Sequence, residues 1–184
     1  MGQPGKDAKS EIRKVFWQLY EVKGIEKISV SEIMERAGYN RGTFYLHYQD
    51  IYDLLEQCED ELLETIEQVI REANISQGSL DLSQQMGFLM ELTQMYSEFV
   101  KILLSDRGDA RFARRFKQLL WPYLKQYFVP IKGYTEQQEQ WLAEFFLSGL
   151  LSAIAVWLSD PQDVSLKDFI DFMLPNMFRA AGGD

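Results

Sequence analysis

The chain has 184 residues, of which 46% are hydrophobic and 26% are charged. This length and composition allow a buried core and exclude global disorder. The single cysteine, Cys58, excludes an internal disulfide and a cysteine-based zinc site, and it fits a reducing cytoplasm.

The formal net charge of −9 argues at first against nucleic acid as a partner. The charge is unevenly spread, however, because residues 1–50 hold eight Lys/Arg and seven Asp/Glu. A local surface, rather than the total charge, decides phosphate binding. Residues 1–5 lack the apolar segment of a signal peptide, and no uninterrupted apolar run is long enough to span a membrane. We therefore expect a cytoplasmic protein without a membrane partner.

Helical periodicity dominates the chain and predicts an all-α fold. The first helix is expected over about residues 7–23, ending at Gly24. Ser29 favours the N-cap of a second helix, and Glu32 would complete a capping box. A short third helix is predicted over residues 41–47.

Four later helix starts are marked by residues that favour the N-cap position: Asp50, Asp109, Thr135 and Ser165. These helices are expected to reach about residue 73, the loop at 130–134, residue 158 and residue 179. One more helix is expected over about 82–104. Pro122 lies inside the helix after Asp109 and is expected to kink or split it.

Residues 29–48 predict two short helices around a tight turn. This is the layout of a helix-turn-helix, whose second helix lies in the DNA major groove. Gly38 suits a turn position with positive φ, and Asn40 stands where the second helix needs a cap. The side chains expected to form the small core of this motif are Val30, Ile33, Ala37, Phe44 and Tyr48.

The segment 16–55 resembles the DNA-binding domain of the TetR family of bacterial transcription repressors. The resemblance is carried by residues 30–33, 37–38, 43–48 and 53–55, and most specifically by the run Gly-Thr-Phe-Tyr-x-His-Tyr at 42–48. It implies a three-helix helix-turn-helix domain over residues 1–50. A long helix would join this domain to a helical ligand-sensing and dimerisation domain over residues 51–184.

The resemblance also implies a set of DNA contacts. Arg41 would make a bidentate contact to guanine, and the serines that begin the second helix would meet phosphate. Tyr45 and His47 can also be ordinary surface residues. At position 51 the family usually has a phosphate-gripping lysine, and Ile51 here predicts weaker or less salt-sensitive binding. The implied contact residues are Ser29, Ser31, Asn40, Arg41, Gly42, Thr43, Tyr45, Leu46 and His47.

Two apolar helices near the C-terminus predict a homodimer interface, as in TetR-family dimers, with ordinary packing inside one chain as the alternative. Small side chains would allow the helices to approach, and large ones would supply buried area. The residues expected at this interface are Phe145, Ser148, Gly149, Ser152, Ala153, Trp157, Phe169, Phe172 and Met173.

Methionine and aromatic side chains gather in the middle of the chain and suit an adaptable pocket for a small-molecule effector. A plain hydrophobic core is an equally open interpretation. The candidate lining residues are Met86, Met90, Tyr96, Phe99, Phe116, Trp121 and Tyr123.

The sequence therefore predicts a ligand-responsive transcriptional regulator, expected to be a repressor, that binds a palindromic double-stranded DNA operator as a homodimer. A small apolar or amphipathic effector would release it. The alternative is a relative of the same fold that binds another protein as a coactivator or adaptor. We expect no enzyme activity, no cofactor and no metal, because nucleophiles and bases are sparse. The carboxylates at 59–61 are interpreted as a solvated helix face.

Overall fold

The structure, a computed structural model of the chain, describes residues 4–72, 99–104, 108–128 and 133–181. Within these ranges the regular elements are all helical, which confirms the predicted all-α fold. The helices are α1 (Pro4–Lys23), α2 (Val30–Ala37), α3 (Arg41–Tyr45), α4 (Ile51–Glu72), α5 (99–103), α6 (Ala110–Phe128), α7 (Glu136–Ser159) and α8 (Leu166–Ala181). A 3-10 turn (Ile25–Lys27) lies between α1 and α2.

The chain divides into two compact units, Met1–Glu64 and Thr65–Asp184. The sequence placed a boundary at residue 50, ahead of α4, whereas this division falls inside α4. The first turns of α4 belong to the N-terminal unit because Leu54 and Leu55 are buried there. The assignment of separate functions to the two units stays a prediction.

The core of the N-terminal unit is built on α1. Ile12, Phe16 and Tyr20 lie four residues apart, so they share one face of α1, and all three are buried. Helix α2 packs against both α1 and α3. Each of these large side chains contributes about 1.5–3 kcal/mol by leaving water, which holds the two short helices in place.

Helix α2 begins with one half of the predicted capping box. Ser29 Oγ accepts a hydrogen bond from Glu32 N at 3.2 Å, as expected for an N-cap. The Glu32 carboxylate, however, accepts from Lys23 and from Arg36. The predicted return bond from the Ser29 backbone is therefore wrong, because two cations compete for the same carboxylate. The same side chain instead ties the end of α1 to α2.

In the C-terminal unit, α6 packs against α7 and α8. Thr135 and Gln138 form both bonds of the capping box at the start of α7. Ser165 Oγ accepts from Asp168 N at 3.1 Å at the start of α8, as predicted. Helix α6 runs through Pro122 as one helix, so a split there is wrong, while the kink that was the other expectation stays a prediction. A proline inside a helix removes one backbone donor, and the packing of α6 against α7 and α8 helps to maintain the helix.

Helix α7 is the one helix among the described residues whose length and composition would allow it to cross a membrane. The expectation that no segment could span a membrane was based on uninterrupted apolar runs. Helix α7 did not count as such a run because Glu144 interrupts its apolar sequence. Only 17% of its most apolar window is buried within the protomer. An apolar exposed side is also found on helices that pack against a second protein chain.

Glu59 contradicts the interpretation of residues 59–61 as a solvated face. Its side chain lies in the interior at 2% exposure, beside the buried Cys58. The helix period itself places Glu59 on the buried face, because Glu59 lies three residues before Leu62 and four before Leu63, which are both buried.

Gly38 ends α2 in the left-handed region, with φ 75° and ψ 24°. Its N–H donates to the carbonyl of Glu35, which closes the helix before the turn.

We predict that Gly38→Ala lowers the free energy of unfolding by about 1 kcal/mol, because an L side chain is strained at this φ. Urea denaturation followed by circular dichroism measures the change. Gly38→Asn is the matched control and should lose less, since asparagine tolerates this conformation. Equal losses in both variants would contradict the assignment of the effect to backbone strain.

Candidate nucleic-acid interface

Helix α3 is held at its start by Asn40. The Asn40 Oδ1 atom accepts from Thr43 N at 3.0 Å and from Thr43 Oγ1 at 3.3 Å, which is the predicted cap. A Cβ atom at Gly42 would lie 3.1 Å from the same oxygen, so a larger residue there would crowd the cap. Helix α3 ends at Tyr45, two residues earlier than predicted, and a turn continues it to Tyr48.

Helix α3 has a buried side and an exposed side. Phe44 and Tyr48 are buried, with ring centroids 5.3 Å apart, as the core prediction expected. Tyr45 is 59% exposed and Leu46 is 80% exposed. These two side chains are therefore accessible to a partner molecule, and a binding role for this side of α3 stays a prediction.

All nine residues implied as DNA contacts have solvent-accessible side chains or backbone, since the structure buries none of them. The fold brings Arg41 and Ser31 together, because an Arg41 guanidinium nitrogen donates to Ser31 Oγ across the turn. Ser29 uses its hydroxyl to cap α2. His47 is half-buried, and its backbone carbonyl accepts from Gln57 Nε2 at 3.3 Å. Their roles as DNA contacts stay a prediction.

The segment after α3 is fastened to the first turns of α4. Gln49 N donates to Asp53 Oδ2 at 2.7 Å, and Asp53 N donates to Asp50 Oδ1 at 2.9 Å. The predicted Asp50 cap is therefore present. These bonds place Ile51 at the first position of α4, close in sequence to the exposed Tyr52.

Arg13, Tyr48 and Glu61 form a linked group that the sequence reasoning missed. Arg13 Nε donates to the Tyr48 hydroxyl at 3.0 Å, while its two terminal nitrogens donate to the two Glu61 oxygens at 2.5 Å each. Burial raises the pKa of Tyr48 to about 12. The hydrogen bond from Arg13 holds the pKa of Glu61 below its usual value. The available signal was a tyrosine at a core position, since a buried phenol needs a hydrogen-bond partner.

The electrostatics of the N-terminal unit do not favour phosphate overall. Residues 1–64 contain eight Lys/Arg and thirteen Asp/Glu. Five of the cations already pair with carboxylates, namely Lys9, Arg13, Lys14, Lys23 and Arg36. Arg41 is the exposed cation on α3 itself, and its hydrogen-bond partner in the structure is a neutral hydroxyl.

Cys58 is buried in the same unit, and burial raises the pKa of its thiol to about 11. A thiol with a raised pKa remains protonated at neutral pH, and the thiolate is the reactive form. This environment is that of a packed core residue.

Four of the candidate pocket residues lie on described parts of the C-terminal unit. Phe116 is buried, with its ring centroid 5.8 Å from that of Phe112, and Phe99, Trp121 and Tyr123 are half-exposed. The other three candidates, Met86, Met90 and Tyr96, lie outside the described residues.

The candidate interface residues on α7 and α8 fall into three groups. Ser148, Trp157 and Phe169 make contacts within the protomer: Ser148 accepts from Lys117 at 3.2 Å, and the rings of Trp157 and Phe169 stack at 5.4 Å. Ala153 and Met173 are half-buried. Phe145, Gly149, Ser152 and Phe172 are exposed.

The exposed members on α7 extend into a longer surface, here called the α7 stripe and composed of Trp141, Phe145, Gly149, Ser152 and Val156. Successive members are four, four, three and four residues apart, so they share one helix face. Phe145 is 74% exposed and Val156 is 72% exposed. Trp141 and Val156 were missed, although their spacing from Phe145 and Ser152 was visible in the sequence.

Two sequence profiles of known protein families match this chain. A sequence profile described as bacterial regulatory proteins of the tetR family matches residues 12–58. A second profile, described as a transcriptional regulator C-terminal region of the TetR type, matches residues 81–177, which is more than half of the chain. The protein is thus a transcriptional regulator with a helix-turn-helix. It belongs to the TetR family, as the resemblance of residues 16–55 indicated.

Individual relatives are distant. The chain is 24% identical over 117 residues to the uncharacterized HTH-type transcriptional regulator YxbF of Bacillus subtilis (strain 168), and the match covers 62% of this chain. It spans only 30% of the length of that relative.

Two solved structures show the same fold at low identity. A TetR transcriptional regulator from Streptococcus agalactiae 2603V is 21% identical, with a TM-score of 0.69, over 97% of this chain and 95% of that one. NalD, the secondary repressor of the MexAB-OprM multidrug efflux pump in Pseudomonas aeruginosa, is 21% identical, with a TM-score of 0.60, and both chains are covered completely.

The lowered pKa of Glu61 predicts how acid affects the N-terminal unit. A carboxyl whose pKa is lower in the folded state stabilises the fold above its unfolded pKa, and this contribution disappears as pH falls through the folded value. The urea midpoint of wild type should therefore exceed that of Glu61→Gln at pH 7, and the difference should shrink as the pH falls below the unfolded pKa of glutamate, about 4.3. Glu64→Gln removes a carboxylate from the same helix outside this ion pair and controls for net charge. A difference from wild type that persists undiminished at pH 3 would rule out the ionised pair as its source.

Proposed function

We propose that this protein is a ligand-responsive repressor that binds a palindromic DNA operator as a homodimer and is released by a small apolar or amphipathic effector. Family membership supports a role in transcription, and a repressor such as NalD shares the fold. Such a protein acts where the chromosome is, and we place it in the cytoplasm.

The observation that supports DNA binding most directly is the two-sided character of α3. Phe44 and Tyr48 are buried, whereas Arg41, Tyr45 and Leu46 point away from the core and are exposed. A helix held on one side and open on the other can enter the major groove. The Ser31 hydroxyl orients the Arg41 guanidinium, so less side-chain freedom is lost when Arg41 meets a guanine edge.

Phosphate contacts would come mainly from neutral donors. Thr43, Tyr45 and the N-terminal backbone of α2 offer hydroxyl and N–H groups, whereas most Lys and Arg of this unit are paired with carboxylates. Hydrogen bonds to phosphate position a protein on the duplex without reading its sequence. Because fewer cations replace counterions, we propose that binding depends weakly on salt.

Pairing of two chains is supported by the α7 stripe. It leaves large apolar side chains exposed at both ends of α7, with Gly149 and Ser152 between them. Small residues at the centre let two helices cross closely while the outer residues bury area. Phe172 on α8 adds exposed apolar surface. A two-fold pair matches an operator that is itself palindromic.

Effector response would depend on α4, which begins in the N-terminal unit and continues into the C-terminal one. Apolar and aromatic side chains on α6, including Phe116, Trp121 and Tyr123, are the candidates for contact with an effector. A ligand that displaces the C-terminal part of α4 would also move the part that holds α3. It changes the DNA-binding equilibrium only if its affinity differs between the two positions of α4.

The second candidate is an adaptor of the same fold that binds another protein. Ile51 and the acidic balance of residues 1–64 favour it, because both weaken attraction to phosphate. The two functions differ in whether any duplex is recognised.

Selection of duplexes from a random pool by the full-length protein at about 0.15 M salt, the physiological ionic strength, separates these functions. We expect a palindrome whose half-sites lie roughly one helical turn apart or more. Arg41→Ala should lose discrimination at one position of each half-site by about 1–3 kcal/mol, as measured by competition among single-base variants.

Lys27→Ala is a control, since this exposed lysine lies in the turn before α2 and is not proposed to read a base. It should change the affinity for all duplexes by similar factors. Failure of the wild-type protein to enrich any sequence would contradict DNA recognition and favour the adaptor.

A charge in the α7 stripe should separate the dimer. Phe145→Glu would place carboxylates at the proposed interface, and their desolvation opposes association. We expect wild type to sediment as a dimer at micromolar concentration and Phe145→Glu to shift toward monomer. Val22→Glu introduces the same charge at a similarly exposed valine in the N-terminal unit and should leave the dimer intact. A wild-type protein that sediments as a monomer would refute this interface.

A further inference from the structure

Arg13, Tyr48 and Glu61, here called the Arg13 clamp, join three segments of the N-terminal unit. Arg13 lies on α1, Tyr48 follows α3, and Glu61 lies on α4. We propose that Arg13 is a positioning residue for DNA recognition, because it fixes α3 between α1 and α4 by binding the Tyr48 hydroxyl and the Glu61 carboxylate together. This inference rests on the proposed DNA-binding function.

The Tyr48 side chain follows any movement of α3. Its backbone N–H donates to the Phe44 carbonyl at 3.0 Å, and its ring lies 5.3 Å from the Phe44 ring. Phe44 is in turn the buried residue of α3. A rotation or slide of α3 would therefore displace the Tyr48 hydroxyl from Arg13.

The guanidinium of Arg13 fixes direction as well as distance. Its Nε binds Tyr48, and its two terminal nitrogens bind one Glu61 oxygen each. These three bonds leave a planar group little freedom to rotate, which a single ammonium could not achieve. Lys9 lies 3.5 Å from Glu61 and adds attraction from the same helix.

Ring packing by itself would hold α3 less firmly. Apolar burial is non-directional, whereas a buried hydroxyl displaced from its partner costs about 1–3 kcal/mol. Gln57 and Asp53 already hold the segment after α3 on the α4 side. The Arg13 clamp connects the same segment to α1. Both α1 and α4 therefore fix the orientation in which Arg41 and Tyr45 face DNA.

Two conservative variants each weaken one part of the clamp. Tyr48→Phe removes the hydroxyl that accepts from Arg13 Nε, and Glu61→Gln removes the carboxylate that accepts from the two terminal nitrogens. Glu11→Gln is the control matched in charge to Glu61→Gln, because Glu11 pairs with Lys14 at 3.6 Å within α1; Tyr48→Phe leaves the net charge unchanged and is compared with wild type as well. The probes are the duplex most enriched by wild-type full-length protein and a scrambled duplex of the same length. The Kd for each is measured per active molecule, with the active fraction from stoichiometric titration, at a temperature where circular dichroism shows every variant folded.

We expect both clamp variants to bind the enriched duplex about 3- to 10-fold more weakly than the control, with little change for the scrambled duplex. The double variant should be no weaker than the more affected single variant, since both losses act through one guanidinium. Arg13→Lys, which keeps the charge but not the fork, should lose selectivity similarly.

A purely stabilising role predicts a different result. It would lower the unfolding midpoint and the active fraction but leave the ratio of the two Kd values unchanged, and that outcome overturns the inference alone. If Tyr48→Phe does not fold, Glu61→Gln and Arg13→Lys decide the question by the same ratio. A wild-type protein that enriches no duplex overturns the proposed function and the inference with it.

Discussion

The burial of Phe44 is the constraint on which the proposed reading surface depends. Helix α3 has only five residues, and a helix of that length is unstable by itself in water. Its conformation is therefore maintained by the Asn40 cap and by the packing of Phe44 and Tyr48 in the core. Because these two aromatic residues occupy the inner side, the residues beside them in sequence are directed outward.

The N-terminal unit combines an acidic balance with a surface proposed to meet an acidic polymer. Part of this negative charge is paired inside the unit, because carboxylates such as Glu32 and Glu61 are engaged by cations there, whereas the net balance of residues 1–64 stays acidic. Their negative charge is locally neutralised, and the same pairs connect α1 to α2 and to α4. Most cations are thus used to assemble the unit, and the exposed side of α3 and of the turn after it presents one cation, Arg41, beside Tyr45 and Leu46.

Local signals in the sequence predicted much of the fold. Caps such as Ser29, Asn40 and Thr135 involve neighbours three residues away, so the sequence itself displays both partners. The N-cap of α3 and the capping box of α7 were therefore foreseeable. Contacts between distant residues were not, because periodicity says which side chains are buried but not which partner each one meets. Arg13 with Glu61, 48 positions apart, is such a case. The return bond expected at Glu32 failed for the same reason, since Lys23, a residue of another helix, binds that carboxylate.

The length of α4 has a mechanical consequence. Its 22 residues correspond to about 33 Å of unbroken helix, since each residue adds 1.5 Å. Such a rod amplifies small angular changes: a tilt of about 5° around one end moves the other by about 3 Å, nearly the rise of one base-pair step. A small displacement at the far end of α4 would then move the proposed DNA-binding helix α3 relative to the base pairs by about one step, and no part of either unit would have to unfold.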